Sequence, residues 1–363
     1  MNKQIILVIL ICLAGFNSSG QQCICKEYSN EEKIKPEILI QSPDNICKAK
    51  GYGEMAAALV DASSLDSAEL MLSKAGKIYE EAGCKGKPLQ QIWRLWSRLS
   101  YLRADYHRAL EYSLKDLELV QAENNPRDEA EVLLNISQVF ARMGQTDKAL
   151  AYARQSVPLI IQMKNEPAKT DLLNKAGGRY YFLYQDTKSK GLLDSTSLFF
   201  RQALDIARLV NYKKGMQTSY NKMNSLAYQQ KNYPLALQYI DSSIALSSPG
   251  EINTVLATSY GDKGNILLKM GQFKEARRWA DSCLHYYTQM KFPPLIANAY
   301  SLLAEIADSL GDHKTAYAAL YAEKKITDSL NTADKAKAVS EVEKKYNQAK
   351  NEKTIKELNQ QKQ

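Results

Sequence analysis

The chain has 363 residues, 45% hydrophobic and 24% charged, with a formal net charge of +8. That length suits two average domains or one elongated repeat array, and the composition is that of a globular chain, not a disordered one. Much of the lysine excess falls in the final thirty residues among glutamates, with no basic block bearing base-stacking aromatics, so a nucleic-acid surface is not expected.

Residues 1–20 read as an export signal. Lys3 supplies the positive start, Ile5 to Phe16 an uninterrupted apolar run, and Ser18-Ser19-Gly20 a small-residue cleavage site, with the cut expected between Gly20 and Gln21. The run is too short to span a bilayer, which argues against its alternative reading as a membrane anchor. Cys12 follows the bulky Ile11 and Cys23 follows Gln22, which argues against lipid attachment. No comparable apolar stretch follows, so no membrane span is expected after signal cleavage, and the chain is expected to be periplasmic or secreted.

Residues 21–46 read as an irregular, polar arm carrying Pro36, Pro43 and two cysteines. In an oxidising compartment one or two disulfides would join Cys23 and Cys25 to Cys47 or Cys84; the spacing leaves the pairing open. Cys283 reads as a small hydrophobe packed in a helix.

From residue 47 the chain repeats. Met143-Gly144-Gln145-Thr146-Asp147-Lys148-Ala149 matches Met270-Gly271-Gln272-Phe273-Lys274-Glu275-Ala276 and Leu310-Gly311-Asp312-His313-Lys314-Thr315-Ala316. Each is the end of one helix, a left-handed glycine turn and the start of another. Extended, the register gives a small-residue column at Ala68, Ala109, Ala149, Thr196, Ala236, Ala276 and Ala316, with steps of 41, 40, 47, 40, 40 and 40. A second column, in the preceding helix, runs through Ala56, Ser97, Ser137, Gly177, Asn224, Gly264 and Ala304, with steps of 41, 40, 40, 47, 40 and 40. Small residues recur where two antiparallel helices approach closely. Both columns jump by seven between Gly177 and Thr196, which predicts an insertion in the turn near residues 185–190. Leu65, Tyr106, Leu193, Tyr233 and Phe273 are expected to open the second helices, with Thr146 and His313 as weaker substitutes, His313 packing like the aromatics it replaces. Pro158 should kink the second helix of the third unit.

These small-residue columns, the glycine turn, the aromatic ahead of alanine and the hairpin period resemble tetratricopeptide repeats. The resemblance covers residues 47–330 as seven hairpins and implies an all-α, right-handed helical-hairpin solenoid. The period near 40 departs from the usual 34 and resembles the longer-helix variants of bacterial regulators. Asn224 in a small-residue row departs from the family pattern as well.

Residues 331–363 read as a charged C-terminal helix. Val339, Val342, Tyr346 and Ala349 follow three-four spacing, an incipient coiled-coil seam that Ile355 and Leu358 continue after a slip. The helix is either a cap on the solenoid or a dimerising stalk. With the run Ala333 to Tyr346 it resembles the periplasmic sensory region of Bacteroidetes-type membrane histidine kinases and regulators, although no transmembrane or output segment follows.

Catalytic chemistry has no clear carrier. Gly51-Tyr52-Gly53-Glu54-Met55-Ala56 matches a dinucleotide fingerprint on paper but follows no buried strand. His107, His285 and His313 are scattered, Cys23-Ile24-Cys25 lacks further ligands, and no phosphate loop or nucleophile elbow occurs. No cofactor, metal or enzymatic activity is expected. In arrays of the family it resembles, the first helix of each hairpin lines the concave groove. The register places Arg94, Arg98, Tyr101, Gln138, Asn174, Tyr181, Asn221, Tyr228 and Asn265 on its free face. Amides there suit a peptide backbone, Tyr rings supply contact area, and Arg suits a carboxylate. The expected role is to bind a protein or peptide, as a periplasmic sensing module in signal transduction that dimerises through its C-terminal helix. The alternative is a solitary envelope scaffold or assembly adaptor.

Overall fold

The computed structural model describes Cys23, Cys25 and residues 34–329 apart from 62–63, 85 and 248–253. The signal, most of the arm and the C-terminal charged helix lie outside the described residues. The described elements are helices: α1 (Pro36–Ile40), α2 (Asn45–Asp61), α3 (Leu65–Glu81), α4 (Lys87–Leu102), α5 (Tyr106–Ala122), α6 (Pro126–Arg142), α7 (Thr146–Gln162), α8 (Pro167–Thr187), α9 (Lys190–Leu209), α10 (Lys213–Gln229), α11 (Tyr233–Ala245), α12 (Thr254–Lys269), α13 (Phe273–Gln289), α14 (Pro293–Ser309) and α15 (residues 313–329). From α2 onward they pair into the seven expected hairpins. The chain divides at Val210 into two compact units, the first holding four hairpins and the second three. No helix among the described residues is long and apolar enough to cross a membrane.

Five of the hairpins, the second, third, fifth, sixth and seventh, are closed by the same turn. The backbone N–H of Gln145 donates to Phe140 O, that of Gln272 to Leu267 O and that of Asp312 to Ala307 O, each at 2.9 Å. This six-to-one bond requires a left-handed residue, and Gly144, Gly271 and Gly311 supply φ of 72°, 75° and 74°. Ala104 and Lys231 adopt the same conformation at φ 58°, which is why two hairpins lack the glycine signal. Proline opens α6, α8 and α14, where its missing N–H would have had no helical partner.

Both small-residue columns are interior. Ala68, Ala109, Ala149, Thr196, Ala236 and Ala276 are fully buried. In the partner column a Cβ on Gly264 would stand 3.4 Å from Ala276 O and 3.5 Å from Ala280 N, so α12 and α13 meet backbone to backbone. Ser137 donates from Oγ to Ala149 O at 2.7 Å, one column bonding the other.

The seven-residue insertion takes a different form from the one expected. α8 continues ten residues past Gly177, where α6 continues five past Ser137, and α9 begins six residues before Thr196, where α7 begins three before Ala149. The turn itself is only Lys188 and Ser189. Seven residues are close to two helical turns, so lengthening both antiparallel helices by about one turn keeps their faces in register and their backbone groups paired. A looped insertion would leave those groups to water. Consequently α9 opens at Lys190, not Leu193. α7 runs unbroken across Pro158.

The described residues of the arm hold a helix where an irregular segment was expected. α1 packs on α2, with Leu39 buried, and a Cβ on Gly51 would lie 2.7 Å from Leu39 Cβ and 2.9 Å from Ile40 N. Gly51 is therefore the clearance for α1, and it sits inside a helix with no strand before it. Disulfides join Cys23 to Cys84 and Cys25 to Cys47, tying the arm to the end of α3 and to α2. Cys283 is free and buried, its thiol pushed up to about 12, chiefly by burial. His313 does not pack. It opens α15 exposed to solvent, its Nδ1 3.1 Å from Asp308 Oδ1.

Candidate partner-binding faces

In the first unit the first helices α4, α6 and α8 stand side by side, and the predicted residues on them are largely engaged with one another. Arg94 Nε donates to Asp116 Oδ2 at 2.8 Å and its Nη2 lies 3.4 Å from Asp128 Oδ2, joining α4, α5 and α6. Asp116 is 2% exposed, and burial raises its pKa despite the arginine. Tyr101 Oη accepts from Arg142 Nε at 2.9 Å, and the Arg142 guanidinium covers the Phe182 ring at 5.2 Å. Gln138 Oε1 accepts from Arg179, which also donates to Leu134 O at 3.2 Å and is brought down to about 10 by burial. Glu131 and Lys175 pair at 2.9 Å.

Arg98 is exposed and Tyr181 half-buried, as a free face requires. Asn174 departs from expectation: it is buried at 3%. Its register position, three before the column, also holds Arg94, Leu134 and Asn221, and this position turns toward the neighbouring helices. Asp116, Asp128, Glu131, Arg142, Lys175 and Arg179 were missed. For Arg142 and Arg179 the signal was a spacing near the repeat period, since Tyr101 to Arg142 and Gln138 to Arg179 are both 41 residues apart. An apolar cavity of about 290 Å³ opens beside this ladder, walled by Gly53, Ala57, Tyr79, Ile92 and Leu95, with Arg94 at its edge.

In the second unit the three predicted residues come together along the seam of α10 and α12. Tyr228 and Asn265 line a cavity of about 290 Å³ with Asn224, Ser225 and Asp262. Asn221 lines a second of similar volume that shares Ser225 and Asp262 and adds Thr218, Lys222 and Thr258. Asn221 Oδ1 accepts from Ser259 Oγ at 3.3 Å, and Asn265 Nδ2 donates to Gly261 O at 3.1 Å. Tyr228 leans on Tyr233 with ring centres 5.5 Å apart. Burial pushes the Asp262 carboxyl up to about 6. The column residue Asn224, 2% exposed, donates from Nδ2 to Asp262 Oδ2 at 3.2 Å, while its Oδ1 is buried with no hydrogen-bond partner. No cluster of potential metal ligands occurs among the described residues.

No protein-family model matches the chain, and no curated protein matches it. Solved structures do. The chain is similar to the apo form of RapI, at 12% identity over 78% of this chain and 99% of that one, with a TM-score of 0.53. It is similar to BtubC from P. vanneervenii, at 17% identity over 63% and 90%, with a TM-score of 0.52. It is also similar to NprR in complex with its cognate peptide NprX, at 16% identity over 76% and 75%, with a TM-score of 0.50. At these identities the likeness is one of fold, a tetratricopeptide-like array of helical hairpins.

Proposed function

We propose that the protein is a non-enzymatic peptide-binding module, and that the second unit carries its groove. The observation behind this reading is that Asn221, Tyr228 and Asn265, chosen by repeat register, line two adjoining open cavities between α10 and α12. Cavities along a seam of parallel first helices suit an extended chain, whose backbone amides the Asn side chains meet and whose side chains drop between the helices. The same kind of fold holds a peptide in the NprR complex. In the first unit the equivalent face is cross-linked by its own ion pairs, which leaves less of it for a partner.

The module acts outside the cytoplasm in this reading. The apolar run Ile5 to Phe16 supports export, and two disulfides suit an oxidising compartment. Signal transduction through a dimer of residues 332–363 is the corresponding mode of output. It requires the full chain and a chain ending at 329 to differ twofold in oligomeric mass.

The direct test is selection from a displayed random decapeptide library on the disulfide-intact protein. Selected peptides should bind wild type and lose at least tenfold affinity with Tyr228→Ala or Asn221→Ala. Full retention in both variants would place the binding elsewhere and refute the groove.

A further inference from the structure

We propose that Asp262 and Asn224 form a subsite in this groove that takes a cationic nitrogen group bearing N–H donors: a guanidinium, a side-chain ammonium or a free amino terminus. The proposal rests on the peptide-binding reading and names the chemistry the groove selects.

The repeat itself shows what is missing. Asp262 lies two residues before its column position, Gly264. In the fourth hairpin the same position is Lys175, paired at 2.9 Å with Glu131, six residues before the column of the preceding hairpin. The residue facing Asp262 by that rule is Thr218, which lines the same cavity and carries no charge. Its hydroxyl donates back to Lys214 O at 2.9 Å within its own helix. One hairpin thus completes an ion pair across the first-helix seam, and the other presents half of one.

The surroundings hold no replacement. Lys263, beside Asp262, is bonded to Asp241 at 2.7 Å and lies 4.0 Å over the Trp279 ring. Lys222 lines the second cavity and has an interaction of its own, and burial is the one cause that moves Asp262. From α10 the Tyr228 phenol faces the carboxylate, and from α13 Cys283 and Tyr287 do; all three are raised in pKa, chiefly by their burial, with Asp262 adding to it. Asp262 itself is moved by burial, with no cation offsetting the shift. The half-buried Asp262 carboxylate and Asn224, whose Oδ1 has no hydrogen-bond partner, both line one cavity. A group made only of donors suits the carboxylate that Asn224 holds at 3.2 Å, and a positive charge repays its desolvation. The Tyr228 ring, which lines the same cavity, adds attraction for a cation.

The test uses small probes, so it needs no peptide: agmatine for an arginine side chain, cadaverine for lysine and glycinamide for an amino terminus. The full disulfide-intact chain is titrated with each, following the Asp262 carboxyl carbon by NMR. At least one probe should bind at pH 7.5, lower the Asp262 pKa and lose its binding in Asp262→Asn. If the cation returns the carboxyl to its ordinary range, affinity should fall about tenfold at pH 5 in wild type, an outcome independent of any variant's folding. The probe that binds tightest identifies the source of the cation. Absence of binding by all three, or equal binding to Asp262→Asn, overturns the subsite. Selected peptides that bind Asp262→Asn as tightly as wild type would also sink it while leaving the groove intact. Cation binding without any selected peptide would leave the subsite and sink the groove.

Discussion

Two adjacent glycines in α8 separate close packing from helix propensity. A Cβ on Gly177 would lie 2.5 Å and 2.7 Å from Cε1 and Cδ1 of Phe200 and 3.3 Å from Phe199 Cβ. Phe200 is 2% exposed, so its ring has no route out to solvent. A Cβ on Gly178 would meet nothing within 4 Å. Alanine in place of glycine within a helix stabilises by about 0.5–1 kcal/mol, and this applies equally at both positions. At Gly178 that is the whole effect. At Gly177 overpacking costs about 1–3 kcal/mol and reverses the sign. Gly177→Ala should therefore be less stable than Gly178→Ala by about 1–3 kcal/mol, read from urea midpoints of helical circular dichroism with m-values checked for cooperativity. Phe200→Leu should restore part of the loss in the Gly177→Ala background, a coupling of about 1 kcal/mol. Equal stabilisation by both alanines would mean that α8 and α9 do not meet at this column.

Arg94→Met strands the Asp116 carboxylate in the interior and should cost about 3–5 kcal/mol at neutral pH, with Arg94→Met/Asp116→Leu recovering most of it. A loss under about 1 kcal/mol in the single variant's urea unfolding would show the pair to be solvated. Asp262→Asn should stabilise the second unit at pH 7.5. The folded pKa of about 6 is raised above 3.8, so the stability Asp262 contributes is complete below pH 4 and lost as pH rises through 6. The variant escapes that loss, up to about 3 kcal/mol for about two pKa units, and thermal melts of the two proteins should converge at pH 4. Cys84→Ser opens a loop closed across 61 residues and should lower the stability of the first hairpin by about 2–4 kcal/mol. Hydrogen exchange should then quicken in α2 and α3 and not in α12 or α13.

The architecture was legible because close approach of two helices is decided at single positions. Ala149 and Gly264 each stand where a larger side chain has no room, and such positions recur whatever their neighbours do. The form of the insertion was not legible, since residues 178–190 carry nothing that distinguishes a longer helix from a longer turn; that choice is made by the pairing of α8 with α9. Gly144 announced its turn, whereas Ala104 and Lys231 make the same turn without a signal because the backbone bonds compensate the strain. In the candidate groove, the positions of Tyr228 and Asn265 along the α10–α12 seam followed from register alone. Asn174 was misplaced because the faces of a helix grade into one another, and a position on the boundary is buried or open according to its neighbours. Arg94 and Gln138 were placed on the right helices and given the wrong occupation, because their partners lie across the hairpin or a full repeat away. Asp262 escaped notice because a carboxylate is remarkable only when its counter-charge is missing, and that comparison requires Lys175 and Glu131 to be seen paired.

A peptide received by the seam between α10 and α12 would shield the backbone on both sides of it. The measurement that bears on it most directly is hydrogen exchange of the full chain with and without a saturating selected peptide. Protection concentrated in residues 218–229 and 254–266, with α13 and the first unit unchanged, is the predicted result. Protection centred on α4, α6 and α8, with α10 and α12 unaltered, would contradict it.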